Sequence, residues 1–258
     1  MSDDIVKRKQ IAVKAAKTVG KILLDNFKKP LKIKAKGDRD FVTQIDVKAE
    51  NAVVKLVKEH FPKDSILSEE NLYLRPEAEY EWIIDPLDGT HNYIHSIGIF
   101  GTSIAFAVNK QVQAGVIYMP LTDELYVCQK GKGSYKNGNK IQVSKRKLRE
   151  STLIFDSSIR RDKNIMLKGL GRLADEVFNV RMFGSSARHL AYVAEGTAEI
   201  DVEYFDKVWD FAAGLLLVEE AGGISSDLEG KPWNTDTKRY IASNKEIHKD
   251  IVRILNQS

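Results

Sequence analysis

The 258-residue sequence predicts a mixed α and β protein of two closely packed lobes: an N-terminal α+β lobe over residues 1–150 and a C-terminal α/β lobe over residues 151–258. Three observations carry this expectation. The first half opens with two apolar stripes at helical spacing and then runs into strands joined by tight turns, the order of an α+β unit with an antiparallel sheet. The second half alternates strand and helix, as an α/β unit does. No internal repeat or low-complexity linker divides the halves, so they should pack as one unit.

The first helix is predicted over residues 5–27, where Ala12, Ala16, Val19, Leu23 and Phe27 recur at helical spacing with lysines between them, and Pro30 follows. Lys34 to Asp40 is polar and holds Gly37, so it reads as a mobile loop. Phe41-Val42-Thr43 leads to a second helix with Asp46 in its first turn, a buried stripe of Ala49, Val53, Leu56 and Val57, and Pro62 as its stop. Ser65 to Ser68 is a short strand and Leu72 to Glu81 a polar loop. Trp82-Ile83-Ile84 is an apolar run suited to a sheet interior, and Pro86 cannot donate to a ladder, so the strand should stop at Asp85. Strands follow at Thr102 to Val108, Val112 to Tyr118 and Leu125 to Val127, and Asn137-Gly138 is a hairpin turn. Gly131 to Lys136 lacks the third glycine and the following helix of a nucleotide loop, so it belongs to that hairpin.

In the second half, Leu153 to Phe155 and Val180 to Phe183 read as strands around a helix at Ile165 to Val177. Gly184-Ser185-Ser186 opens a helix running to Ala194, and Ala198 to Val202 is a further strand. Trp209-Asp210 introduces an apolar helix, Phe211 to Ala221, closed by Gly222-Gly223. Ser243 and Glu246 have capping-box spacing ahead of a last helix, Ile247 to Leu255.

Composition narrows the function classes. Hydrophobic residues make up 43% of the chain, enough for a large core. The single cysteine, Cys128, rules out an intrachain disulfide and agrees with a reducing compartment. Met1 to Asp4 lacks signal-peptide character, and no apolar run approaches the roughly 18 residues of a membrane span, so a cytoplasmic, unprocessed chain is expected. A net charge of +4 against 40 basic and 36 acidic residues gives little reason to infer a nucleic-acid partner. The run Lys145-Arg146-Lys147 with Arg149 has no interleaved aromatics and reads as a solvated loop.

The chemistry concentrates at Asp85-Pro86-Leu87-Asp88-Gly89-Thr90. Asp85 and Asp88 face one small space, where two unpaired carboxylates repel unless a cation lies between them. Gly89 lets the backbone approach a ligand, and Thr90 with the amides after it opens a helix aimed at an anion. A divalent metal and a phosphate together would satisfy all these groups. Glu69 and Glu70 repeat the pattern of acids delivered by a strand end, although adjacent glutamates also occur on solvated surfaces. Taken alone, Asp46 reads as a helix-start carboxylate, and an N-terminal cap would be sufficient for Asp210 by itself, with a ligand as the alternative. All of them lie where a strand ends or a helix begins, the places where sites concentrate in such folds. Acids without a histidine or cysteine cluster suit Mg²⁺ rather than zinc or copper. For His91, His95 and His189 a hydrogen-bonded structural role is expected.

With these residues in view the chain resembles the inositol monophosphatase family of magnesium-dependent, lithium-sensitive phosphatases, over almost its whole length. The resemblance rests on Ser68-Glu69-Glu70, on Asp85 to Thr90, and on Trp209-Asp210-Phe211-Ala212-Ala213-Gly214 running on to Glu220-Ala221-Gly222-Gly223. Ser68 departs from the family's usual glycine. The resemblance implies a layered α-β-α-β-α sandwich of the sugar phosphatase type. It also implies a homodimer and an enzyme that hydrolyses inositol 1-phosphate with a metal-activated water, using two or three Mg²⁺ ions. Carried over, Glu69, Asp85 and the Leu87 carbonyl hold a first ion, and Asp85, Asp88 and Asp210 a second. Asp46 pairs with Thr90 to orient the water, with Glu69 nearby at a third, weaker ion. Asp88 with the amides of Gly89 and Thr90 meets the phosphate, Glu203 contacts a substrate hydroxyl, and Ser185 and Ser186 line the sugar pocket.

Where this chain departs from the family the substrate stays open. His91 stands where inositol phosphatases often have threonine, while Asn92 and Tyr93 keep the pattern. Gly184-Ser185-Ser186 is a little like the pocket of relatives acting on 3′-phosphoadenosine 5′-phosphate. Arg160, Arg161 or Arg188 offers a second-phosphate contact for fructose 1,6-bisphosphate. A regulatory or RNA-binding protein on the same fold is the remaining alternative.

Overall fold

The computed structural model describes residues 2–37, 40–70, 72–73 and 78–257. Helices α1 (Ser2–Asn26) and α2 (Gln44–His60) flank a hairpin of β1 (Ile33–Gly37) and β2 (Asp40–Thr43). The chain then lays down β3 (Ser65–Ser68), β4 (Leu72–Tyr73), β5 (Tyr80–Asp88), the short helix α3 (Thr90–Ile94), β6 (Gly101–Val108) and β7 (Gln111–Met119). Strands β8 (Glu124–Gln129), β9 (Gly133–Lys136) and β10 (Asn139–Lys140) complete a sheet in the order β10-β9-β8-β7-β6-β5-β3-β4. A second sheet follows from β11 (Thr152–Phe155), helix α4 (Lys163–Ala174), β12 (Asn179–Arg181), helix α5 (Ser186–Ala194) and β13 (Ile200–Glu203). Helix α6 (Val208–Glu220), β14 (Ile224–Asp227), β15 (Tyr240–Ser243) and helix α7 (His248–Leu255) finish it, with strand order β12-β11-β13-β15-β14.

The layers follow from which faces are apolar. One stripe of α1, with Ala12, Ala16, Val19 and Leu23, and one of α2, with Ala49, Val53 and Val57, pack together on Trp82, Ile84 and Phe106 of the first sheet. The opposite face of that sheet, through Ile83, Ala105 and Ile117, meets α5 and α6. Helix α6 is buried from Phe211 to Val218 because the second sheet covers its other side; an apolar helix surface all round requires such enclosure. Gly214 permits it, since a Cβ there would collide with Leu190 of α5. Outside the second sheet, α4 and α7 bury Met166, Leu173, Ile251 and Ile254 against Leu153, Phe155 and Ile241. The result is the α-β-α-β-α order expected.

Several local expectations are corrected. β5 does not stop at Asp85; it continues to Asp88 through an irregularity between those residues, and this bulge accommodates Pro86. Most of the stretch read as a loop from Lys34 pairs as the β1-β2 hairpin, with residues 38–39 outside the described residues. Leu72 and Tyr73 pair with β3, Tyr80 and Glu81 belong to β5, and residues 74–77 lie outside the described residues. The first sheet is not wholly antiparallel, since β3 runs parallel to β5. The strand expected at Val180 to Phe183 is Asn179 to Arg181. The Ser243 capping box does not form: Ile247 is the N-cap residue of α7, and Ser243 Oγ faces His248 Nδ1 at 2.8 Å.

Candidate active site

The parallel pairing of β3 with β5 puts two strand ends side by side. Glu69 N donates to Ile84 O at 3.2 Å, so Glu69 emerges next to Asp85. At the same edge the N-termini of α3, α5 and α6 bring Thr90, Ser185 and Asp210 into a cavity of about 260 Å³. Glu69, Asp85, Leu87, Asp88, Gly89, Thr90, Ser185, Ser186, Glu203 and Asp210 all line it. Of the residues singled out in the sequence, Asp46 is held one step back. Its Oδ2 accepts from the Thr43 amide at 2.8 Å and the Thr43 hydroxyl at 2.5 Å, while Thr90 Oγ1 lies 3.1 Å from Oδ1. Asp46 thus braces the start of α2 and reaches Thr90, so both sequence readings describe it. Asp210 is similar: it accepts the Lys207 amide at 2.6 Å, as a helix-start acid does, and also lines the cavity.

The turn geometry follows from its residues. Leu87 N donates to Asp85 Oδ1 at 2.9 Å, folding the chain back over Pro86. Gly89 has φ 82°, and a Cβ would lie 2.8 Å from the Ile99 carbonyl, so a side chain is excluded twice over. Asn92 secures the turn to the second half of the chain by donating to Phe183 O at 2.7 Å. Behind Glu69, the buried Glu50 carboxylate accepts from Ser68 Oγ at 2.5 Å and the Glu70 amide at 2.9 Å. That accounts for the serine at position 68: its hydroxyl is tied to Glu50.

Electrostatically the cavity is a concentration of carboxylates. Burial raises the Asp85 pKa well above the carboxylate range, and Glu69, Asp88 and Asp210 push it further. Asp210 is raised in the same way by its enclosure and by Asp206, Glu69 and Asp88. Asp88 is raised by burial and only partly relieved by the Ser185 hydroxyl, by His189 and by the amides of Ala187 and Ser186. Crowding of this kind suits a site that takes a cation. The donors are all oxygens, and they fit Mg²⁺. Among the described residues, only His189, Asp201 and Glu203 bring three ligand atoms within 4.8 Å of one another. Glu69, Asp85, Asp88 and Asp210 surround the cavity more loosely, as suits ions that also take water and substrate oxygens.

The far side of the cavity holds residues the sequence reading missed: Asp156, Ser157, Ser158, Phe205 and Asp206. Asp156 was detectable, since it follows β11 directly, as Asp85 follows the apolar part of β5. Enclosure pushes Asp206 up to about 7, against the relief of the Tyr240 hydroxyl. Of the arginines proposed for a second phosphate, Arg161 lines the cavity. Arg188 is buried elsewhere, 2.5 Å from Glu124 and stacked on Tyr192. His91 lines the cavity while His95 stacks on it with ring centroids 4.4 Å apart.

A sequence model of the inositol monophosphatase family matches residues 4–258. The chain belongs to the inositol monophosphatase family. Its relatives within that family include a fructose-1,6-bisphosphatase/inositol-1-monophosphatase of Thermotoga maritima, 32% identical over 251 residues that span 97% of this chain and 96% of the relative. The Nus factor SuhB of Escherichia coli K12 is 34% identical over 93% of this chain and 92% of its own length. Among solved family structures, the SuhB protein of Bartonella henselae superposes with a TM-score of 0.92 at 34% identity, covering 96% of this chain and 98% of that one. The inositol monophosphatase of Thermotoga maritima gives 0.90 at 32% identity, with 97% of each chain covered. The layered fold is therefore the family's own. Among the described residues, no helix is long and apolar enough to cross a membrane.

Proposed function

We propose that the protein is a Mg²⁺-dependent phosphomonoesterase acting on inositol 1-phosphate or a closely related polyol phosphate. The observation that carries this is the set of crowded carboxylates Asp85, Asp88 and Asp210 in one cavity with the Gly89-Thr90 turn. In this reading Glu69, Asp85, Asp88, Asp210 and the Leu87 carbonyl hold two or three Mg²⁺ ions. Bound there, Mg²⁺ would supply Lewis acidity and positive charge toward the phosphate. The protein's own groups do the rest. Asp46, fixed by Thr43, holds Thr90 so that the pair orients the attacking water, and Asp88 with the amides of Gly89 and Thr90 positions the phosphate. Ser185, Ser186 and Glu203 meet the alcohol. The site draws on both proposed lobes, 1–150 and 151–258. A homodimer, cytoplasmic location and lithium sensitivity belong to the same reading, and sedimentation showing only a 29.1 kDa species would contradict the dimer.

The second reading is fructose 1,6-bisphosphate, supported by Arg161 in the cavity and by the names of two relatives. Charge favours the monophosphate: Asp156, Glu203 and Asp206 line the same cavity as Arg161, and Arg188 is committed to Glu124. A solely regulatory or RNA-binding role, as the name of the SuhB relatives raises, draws less support, because Arg146 and Arg149 of the basic run pair with Glu199 and Glu176. The test compares kcat/KM on one preparation for inositol 1-phosphate, fructose 1,6-bisphosphate and 3′-phosphoadenosine 5′-phosphate. Preference for either of the latter overturns the substrate assignment. Undiminished Mg²⁺-dependent turnover in Asp210→Asn overturns the mechanism.

A further inference from the structure

The sequence reading left His189 a structural role, but its surroundings assign it more. His189 lies in α5 at the cavity wall and is 2% exposed. Its Nδ1 stands 2.8 Å from Glu203 Oε1 and 3.4 Å from Asp201 Oδ1. Asp201 and Glu203, two positions apart in β13, project on one face of the strand. Neither oxygen of Asp201 has a hydrogen-bond partner, and neither does His189 Nε2, although all are buried. A buried nitrogen without a protein partner is costly, so such an atom calls for a water or a ligand.

Two ligands would resolve this cluster differently. A metal ion on Nδ1, Asp201 and Glu203 would hold its ligands about 3 Å or more apart at bond lengths near 2.1 Å. It would also call for Nε2 to be anchored by a neighbour, as metal-bound histidines are. The 2.8 Å contact is instead of hydrogen-bond length, and Nε2 has no anchor. His189 lines the cavity, and with Nδ1 turned to the strand carboxylates Nε2 is its buried nitrogen without a partner. We propose that His189 is a substrate-contacting residue whose Nε2 donates a hydrogen bond to a hydroxyl of the alcohol moiety, with Glu203 and Asp201 as the positioning residues behind it. The inference rests on the polyol phosphate reading above and adds to it: Glu203, which lines the cavity, also positions His189. Protonation agrees with a donor. Burial alone would lower the His189 pKa, but Asp201, with Asp88 and Asp206, raises it. Burial and the neighbouring acids also raise Glu203 well above its usual range. Nε2 carries hydrogen when the ring is charged or when Glu203 holds the proton of the Nδ1 contact, whereas a neutral ring protonated at Nδ1 would present Nε2 as an acceptor.

The test compares His189→Phe and His189→Gln with the wild-type enzyme on inositol 1-phosphate and on 4-nitrophenyl phosphate, whose leaving group has no aliphatic hydroxyl. The loss of kcat/KM in His189→Phe is expected to be roughly 10- to 100-fold larger on the polyol ester than on the aryl ester. His189→Gln, which keeps a donor, should recover part of it, and Asp201→Asn should show the same selective loss in weaker form. Equal losses on both esters, or none, overturn the inference, as does a tightly held metal ion that purifies with the wild type and is lost in Asp201→Asn. A readout independent of turnover is the Nε2 resonance of isotope-labelled His189, which should shift on adding inositol 1-phosphate; an unmoved resonance overturns the contact. If the wild type prefers another phosphate ester, the inositol reading fails by itself, and the same ratio taken with that ester's alcohol still decides the role of His189.

Discussion

Strand β5 carries two opposite solutions to the same problem. Near its start, Trp82 Nε1 donates to Asp64 at 2.9 Å, and Arg8 grips that carboxylate with two bonds of 2.8 and 2.9 Å, its guanidinium 3.8 Å from the Tyr80 ring centroid. At its end, Asp85 and Asp88 face Glu69 and Asp210 in a cavity where Arg161 is the one arginine or lysine among the described lining residues. Glu124 repeats the first solution: despite burial, Lys136, Thr122 and Arg188 hold its pKa down to about 2. The same side-chain type is thus stabilised where the chain supplies its own cation, and left under mutual repulsion where the proposed function has a metal ion supply it. Clustered acids at a site lower the stability of the free protein in return for affinity toward what binds.

The largest effect should come from breaking the paired end. Arg8→Leu leaves Asp64 buried without its cation and should lower unfolding free energy by about 3–5 kcal/mol in urea titration. The double replacement Arg8→Leu with Asp64→Leu should recover most of that loss, because the cost lies in the orphaned charge. If the single variant is as stable as the wild type, the pairing contributes nothing and the contrast fails on this side.

The unpaired end should respond in the opposite sense. Asp88→Asn should reduce kcat/KM by about 10²–10³-fold, roughly 3–4 kcal/mol of transition-state stabilisation. Yet removing one of the repelling carboxylates should leave the melting temperature of the metal-free protein unchanged or higher. A drop of several degrees would mean that Asp88 supports the fold through Ser185 and the amides at the start of α5 more than it strains it.

The two ends were not equally visible in the sequence. Asp85 and Asp88 could be read because their setting is local: an apolar strand, a proline, a glycine and a helix start lie within a few residues. Asp210 was legible for the same reason, at the head of an apolar helix. The Arg8 to Asp64 pair was not, since 56 residues separate partners joined only by the packing of α1 on the first sheet. Asp201 and Asp206 were missed because β11 and β13 meet in parallel through a crossover, a pairing that no local spacing encodes, whereas Asp156 offered the same strand-end signal as Asp85 and was passed over. Strands β14 and β15 escaped notice as well, being short and separated by a long polar stretch.

Supplying the missing cation should erase the contrast. Mg²⁺ at about one hundred times its dissociation constant should stabilise the wild type by about 2.7 kcal/mol, seen as a rise in melting temperature reversed by chelator. In Asp88→Asn the rise should shrink. A rise of equal size in the variant would place the stabilising ion away from these acids.

His248 is a third case, a buried ionisable group whose partners are neutral, and it gives the smallest effect. Its ring nitrogens stand 2.9 Å from Ser226 Oγ and 2.8 Å from Ser243 Oγ, and burial lowers its pKa from 6.5 to about 4. Because the folded pKa lies below the unfolded one, the neutral ring's full contribution is present above the unfolded value. It is lost as pH falls from about 6.5 toward 4, where the unfolded chain takes up the proton first. Between pH 7 and pH 5 this should cost about 2 kcal/mol. The crowded acids of the cavity act the other way in the metal-free protein, since raised folded pKa values favour the folded state as pH falls. The useful quantity is therefore the difference between wild type and His248→Gln, measured in urea with chelator present. That difference should narrow by about 2 kcal/mol over the interval, because glutamine has no proton to gain. A constant difference would show that the serine hydroxyls accept a charged ring as readily as a neutral one, and that burial without a counter-charge is no burden at this position.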